Sequence, residues 1–105
     1  MALRTELQAE LEGIMTGLKM DSHVYFEPPT GFQMKYPCIV YRRDGLDTTH
    51  ANNNPYFLSK TYEVTVIDAD PESPLPEAIA MMPKCRHTRS FVNDNLHHDI
   101  FDINY

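Results

Sequence analysis

Two histidines and an aspartate stand side by side near the end of the chain, at His97, His98 and Asp99. All three side chains are of types that bind metal ions. Consecutive residues of an extended strand point to opposite faces, so His97 and His98 cannot easily share one ion. His97 and Asp99 can, but two ligands do not complete a site. The pattern therefore favours a strand surface or edge, and we predict no metal.

A second acidic group resembles the opening of a calcium-binding loop, with Asp68, Asp70 and Glu72 at alternate positions. Such a loop needs glycine at its sixth position and glutamate at its twelfth. Ser73 and Ile79 stand there instead. Acidic residues before a helix are stabilised by the positive end of its dipole, and this interpretation is favoured.

The cysteines offer no recognisable active site. Cys85, Arg86 and His87 adjoin, but adjacency in sequence does not make a nucleophile and base pair. Cys38 and Cys85 form no CxxC motif, and two buried thiols are the favoured interpretation. The chain also lacks a phosphate-binding glycine loop and a GxSxG motif. We therefore predict neither enzymatic activity nor a cofactor.

The elements that would position these residues alternate between helix and strand patterns. An amphipathic helix is predicted over residues 2–18, packing on a sheet through Leu7, Leu11 and Ile14. A second helix follows Ser73, a candidate N-cap, and Pro74. Strand patterns are typical of the segments 24–27, 36–50, 55–70, 84–94 and 96–105. The second of these is predicted to be broken or bulged near Asp44 and Gly45.

The order α-β-β-β-α-β-β contains no repeated parallel crossover unit. Strands that follow one another through turns pair antiparallel, so the chain is predicted to form one α+β domain over residues 1–105. The sheet should be mainly antiparallel, with the helices on one face. The last residue, Tyr105, is aromatic, and we expect it to dock on its own sheet or on a neighbour's.

The strand "YPCIVYRRDGL", residues 36–46, begins apolar on both faces and ends in two arginines. Its first half belongs in a core. Arg42 and Arg43 are predicted to meet acids such as Asp68 or Asp99, in the same subunit or in a neighbour. A solvated strand end is the alternative, because exposed ion pairs are common and weak.

A long polar stretch, "RRDGLDTTHANNNPYF", overlaps the end of this strand and continues to residue 57. Its turn-forming composition predicts a loop over residues 43–56 that is poorly ordered alone and ordered in an assembly. Candidate interface residues are therefore polar or terminal ones: Arg42, Arg43, Asp44, Asn52, Asn53, Asn54 and Tyr105.

Bulk properties narrow the class of protein. The net charge of −6 argues against a broad DNA-binding surface, which needs concentrated Lys and Arg. No apolar run approaches the roughly 20 residues that span a bilayer, so no membrane partner is predicted. The acidic start "MALRTELQAELEGIMTGL" is unlike a signal peptide, so we expect the protein to stay in the cytoplasm where it is made.

The order of segments resembles a known family. "YPCIVYRR", "ANNNPY", "YEVTVIDADPES" and "DNLHHDIF" succeed one another as in the small tail-completion or tail-terminator proteins of long-tailed bacteriophages. The similarity covers about residues 22–105. It implies a virion protein that forms a ring, commonly a hexamer, at the head-proximal end of the tail. Such a ring ends tail-tube polymerisation, contacts tail-tube and head-connector proteins, and lets DNA pass without specific binding.

Three alternatives stay open. A head-completion or connector protein also forms rings but contacts the portal side. A small ligand-binding domain would use His87, His97 and His98 in an apolar pocket. An accessory domain without an activity of its own is the third.

Overall fold

A five-stranded sheet with two helices forms the body of the protein. The computed structural model describes residues 4–51 and 54–104, with side chains for 4–45 and 60–104. The elements are α1 (Arg4–Gly17), β1 (Val24–Phe26), β2 (Cys38–Ala51), β3 (Asn54–Asp68), α2 (Leu75–Ala80), β4 (Cys85–Asn93) and β5 (Leu96–Asn104). The strand order is β1-β2-β3-β5-β4, and only β1 and β2 pair in parallel. The predicted α+β fold and element order are confirmed.

The core lies between one face of the sheet and the helices. In α1 the residues Leu7, Leu11 and Met15 recur every fourth position and are completely buried. Ile14, which the sequence pattern also placed in the contact, packs against this core but is only partly buried, whereas Met15 is fully buried. The remaining fully buried apolar side chains of the core come from the sheet and α2: Ile39, Tyr41, Tyr62, Val64, Val66, Leu75, Ile79, Phe101 and Ile103.

The strand register shows why these sheet residues share a face. Tyr41 lies opposite Val64, and Val64 lies opposite Phe101, so the three side chains project together. The intervening residues project to the other face. There Arg42, Glu63, Asp102 and Arg86 form one row across four strands, and Arg86 reaches Asp102 at 3.8 Å.

Part of the second face is covered by the connection between β1 and β2. The amide of Lys35 donates to the hydroxyl of Tyr25 at 3.4 Å, and the Phe32 ring lies 5.2 Å from the Tyr25 ring. Cys38, on the same face as Tyr25, is completely buried. This connection therefore gives the early part of β2 a core environment on both of its faces.

Beyond the body, β2 and β3 continue as a two-stranded arm, which we define as residues 46–51 and 54–60. The backbone register runs from Leu46 opposite Lys60 to Ala51 opposite Asn54. Pairing of β3 with β5 reaches only Thr61, so the arm strands pair only with each other among the described residues. The arm contributes to a longest dimension of 51 Å against 29 and 22 Å.

The prediction of a loop over residues 43–56 is wrong, because most of this segment forms the strands of the arm. Residues 43–51 and 54–56 belong to strands, while Asn52 and Asn53 lie outside the described residues. The prediction counted turn-forming residues such as Gly45 and Asp47. Cross-strand backbone hydrogen bonds outweigh such local preferences, since strand propensity depends strongly on what a segment pairs with.

Short connections complete the body. Asp94 and Asn95 have φ of 51° and 63°, so they form the two-residue turn between β4 and β5 that twisted hairpins favour. Before α2, the hydroxyl of Ser73 accepts a hydrogen bond from the amide of Leu75 at 3.3 Å. Pro74, not Ser73, occupies the N-cap position, because the helix begins one residue later than the sequence indicated.

Candidate interaction site

The two arginines of β2 point to opposite faces and have different surroundings. Arg42 lies opposite Glu63, and its Nε and terminal nitrogen contact the two carboxylate oxygens of Glu63 at 3.3 and 3.1 Å. Asp44 lies 3.6 Å from the same guanidinium. The hydrogen bond and charge of Glu63 raise the pKa of Arg42. Arg42 is thus paired within its own subunit.

Within the subunit, Arg42 does not meet the predicted acidic partners Asp68 and Asp99, and contact with these acids in a neighbouring subunit stays a prediction. Asp68 lies at the far end of β3, opposite His97, and Asp99 lies opposite Val66. Arg42 forms its ion pair with Glu63 because Glu63 is its direct cross-strand neighbour. The Arg42 side chain remains 54% exposed, so this ion pair contributes little to stability.

Arg43 faces the helix side and opens into a concave site of about 370 Å³, which we call the basic pocket. Six residues from three strands, α1 and one loop line it: Arg4, Phe26, Glu27, Arg43, Lys60 and Tyr62. Arg43 is opposite Tyr62, and Lys60 precedes Tyr62 by two positions on the same face of β3.

Arg4 is held in place at the wall of the basic pocket. Its guanidinium donates to the hydroxyl of Tyr41 at 3.0 Å and lies 4.4 Å from the centre of the Phe26 ring. The Tyr41 hydroxyl in turn donates to Gln8, which also bonds to the carbonyl of Val24 at 3.1 Å. A cation is attracted to the face of an aromatic ring, so Phe26 holds the Arg4 guanidinium. Together with the hydrogen bond to Tyr41, this contact restricts the rotamers of the Arg4 side chain.

The basic pocket is suited to a carboxylate or phosphate. It collects three cations and one carboxylate, in a chain whose net charge is −6. Among the side chains that the structure describes, no carboxylate oxygen lies within 4.0 Å of Arg4, Arg43 or Lys60. Arginine and lysine bind oxyanions through charge-assisted hydrogen bonds, so the site has unused donors for an acidic group.

The other end of the sheet is acidic. A cavity of about 360 Å³ there is lined by Asp68, Asp70 and Asp99 together with His97, His98 and neighbouring residues. The Asp68 carboxylate accepts the amide of Asp70 at 3.0 Å, and Asp70 accepts the amide of Glu72 at 2.9 Å. These carboxylates order the turn before α2. We call residues 68–72 the acidic turn.

The histidines have separate positions. His97 lies opposite Asp68, whereas His98 projects to the other face and stacks on Phe91 with ring centres 4.6 Å apart. His87 reaches the carboxylate of Asp99 at 3.2 Å. Within residues 4–45 and 60–104, whose side chains the structure describes, no three His, Cys, Asp or Glu side chains are close enough to hold a metal ion.

The cysteine environments oppose nucleophilic chemistry. Burial raises the pKa of Cys38 to about 12, with a further contribution from the charge of Asp68. Burial also raises the pKa of Cys85, as does the charge of Asp102. Because the thiolate is the reactive form, both residues are less reactive than a free cysteine.

A thiol assay tests these environments. At pH 8 a thiol of pKa about 12 is ionised in about one molecule in ten thousand, against about one in ten at the ordinary value of 9.0. We expect Ellman's reagent to label the native Cys85→Ala variant very slowly and the Cys38→Ala variant at nearly the wild-type rate. Rapid labelling of the native Cys85→Ala variant would show that Cys38 is accessible.

The other predicted interface residues are placed as follows. The Asp44 carboxylate lies 3.6 Å from the guanidinium of Arg42. The backbone of Asn54 pairs with that of Ala51 at the end of the arm. Asn52, Asn53 and Tyr105 lie outside the described residues. Sequence reasoning missed Arg4 and Lys60 as neighbours of Arg43. They come from distant segments, and only the period of two in β3 links Lys60 to Tyr62.

No protein-family model matches the chain, and no curated protein matches its sequence. No helix within the described residues is long and apolar enough to cross a membrane.

Proposed function

We propose that this protein is a structural subunit of a bacteriophage tail. It forms a ring at the head-proximal end, ends polymerisation of the tail tube and joins the tail to the head. Its partners are other copies of itself, the tail-tube protein and head-connector proteins. The protein is made in the host cytoplasm and resides in the virion.

The two-stranded arm is the observation that carries this proposal. An isolated pair of strands is marginally stable in water, because one hairpin buries little apolar surface. Among the described residues, the arm strands pair only with each other over 46–51 and 54–60, so the arm is expected to gain stability when another protein packs against it. In a ring, such a projection could supply the heterologous contact with a neighbouring subunit or with the tail tube.

Sheet edges and charge support the same function. The edge strand β4 is exposed along nearly its whole length, so its backbone is available for contact with another chain. Six copies of a −6 subunit would carry about −36. An acidic lumen repels DNA, which lets the duplex slide through without binding.

A ligand-binding function is less well supported. His97 and His98 point to opposite faces of the sheet, and His87 contacts Asp99. His97 and His98 both line the cavity at the acidic end of the sheet, but His87 does not, and three aspartates line that cavity as well. It is therefore not the predominantly apolar pocket that a small-molecule site would need.

Deletion of the gene from its phage tests the proposal. We expect filled heads and separate tails of irregular length, with no infectious particles, and rescue by the protein supplied from a plasmid. Electron microscopy of the lysate measures tail length and joining. Tails of regular length beside defective heads would instead assign the protein to head completion, and normal virions would contradict both assignments.

A further inference from the structure

We infer that the basic pocket of one subunit binds the acidic turn of a second copy, and that this contact links subunits head to tail. The inference rests on the proposed ring assembly and names the residues that would close it. Arg43, Lys60 and Arg4 supply the donors, and the carboxylates of Asp70 and Glu72 are the acceptors.

The basic pocket is built before any partner arrives. Arg4 is fixed by Tyr41 and Phe26, and Arg43 and Lys60 project from neighbouring strands of the sheet. Donors that are already positioned lose less conformational entropy on binding. The pocket is concave and has aromatic walls, Phe26 and Tyr62, which shield an ion pair from water better than a flat surface does.

The acidic turn has the complementary properties. Asp70 and Glu72 are exposed, and the turn is ordered by the two carboxylate to amide bonds within it. No arginine or lysine among the described side chains lies within 4.0 Å of these acids. Among the described side chains, one end of the body thus offers cations without an ion-pair partner, and the other end offers carboxylates without one.

The positions of the two sites fit a ring. Lys60 and Asp68 lie on β3 eight positions apart, which is about 26 Å at roughly 3.3 Å per residue. Two different surfaces at opposite ends of a subunit make a heterologous contact, which generates a closed ring when the rotation between copies closes. A symmetric dimer would instead require both contacts to form at once across the two-fold axis.

Arg42 and Arg43 provide a matched pair of variants. Arg42 already pairs with Glu63 in its own chain, whereas Arg43 lines the basic pocket. We expect Arg43→Glu to weaken self-association by about tenfold or more, and Arg42→Glu to have little effect. Glu72→Lys should weaken it as Arg43→Glu does. Circular dichroism should show that all three variants are folded and melt near the wild-type temperature.

Mixing the variants tests complementarity directly. In an equimolar mixture, the intact acidic turn of Arg43→Glu meets the intact pocket of Glu72→Lys, and the reversed sites also match. Association measured by sedimentation should therefore return toward the wild-type value in the mixture and fall with added salt. No gain on mixing would overturn the inference, as would wild-type association by Arg43→Glu.

A zero-length cross-link locates the contact. Carbodiimide should join the amine of Lys60 to the carboxylate of Asp70 or Glu72. When ¹⁵N-labelled and unlabelled chains are mixed, mass spectrometry should find peptides that carry one label each. Absence of that cross-link up to about 1 mM protein at low salt, a concentration well above micromolar dissociation constants, would refute the contact. Phage complementation is scored separately, so tail completion can fail or succeed independently of this contact.

Discussion

Removal of the arm is expected to abolish tail completion while leaving the body folded. The variant joins Leu46 to Lys60 through Asn-Gly, a two-residue turn that suits twisted hairpins, and deletes residues 47–59. The deleted strands pair only with each other among the described residues, so their loss removes no strand pairing from the rest of the sheet. In complementation of the deleted phage, infectious titre should fall by orders of magnitude while the melting temperature changes little.

A second turn in the same protein provides the control. Replacing Asp94 and Asn95 by Asn-Gly alters the hairpin tip between β4 and β5 without shortening it, and both residues already have positive φ. This control should preserve titre and melting temperature. If the arm deletion instead unfolds the domain, the arm is part of the folding unit. If titre is unchanged, the arm has no role in assembly.

A large loss of stability is expected from truncating Leu11, on the face of α1 that meets the sheet. Leu11 is completely buried among core residues, so Leu11→Ala leaves a cavity as well as losing apolar contact. The free energy of unfolding should fall by about 2–5 kcal/mol, which is a large part of the total for a small domain. Urea denaturation followed by circular dichroism measures this change.

An exposed apolar residue calibrates the Leu11 measurement. Met81 is 84% exposed at the end of α2, so Met81→Ala should change the free energy of unfolding by less than about 0.5 kcal/mol. A cost below about 1 kcal/mol for Leu11→Ala would mean that α1 does not pack on the sheet as described. A similar loss from both variants would point to a general effect and not to a cavity.

Arg42 and Arg43 illustrate why the sequence alone does not reveal what an arginine contacts. Residues 42 and 43 are chemically identical, and alternation in a strand already predicts that they face opposite ways. What each one meets depends on strand register, since register places Glu63 opposite Arg42 and Tyr62 opposite Arg43. One cation therefore belongs to an internal pair and the other to a pocket.

The arm shows that the composition of one segment can predict the wrong secondary structure. Residues 43–56 contain glycine, asparagine and aspartate, which favour turns in isolation, so composition predicted a loop. Strand pairing from Gly45 with Thr61 out to Ala51 with Asn54 is a property of two segments together. Composition of one segment cannot reveal a partner strand, and the error follows from that.

The sequence by itself determined the α+β class, the order of the seven elements and most of the buried face of α1. These features follow from local periodicity: Leu7 and Leu11 recur at helical spacing, and Tyr62, Val64 and Val66 alternate at strand spacing. The tertiary structure alone decided that Arg4, Arg43 and Lys60 share one pocket, and that the acidic turn lies at the other end of β3. Periodicity assigns a residue to a face of its own element, whereas a pocket depends on which elements become neighbours, and that depends on packing and register across the whole chain.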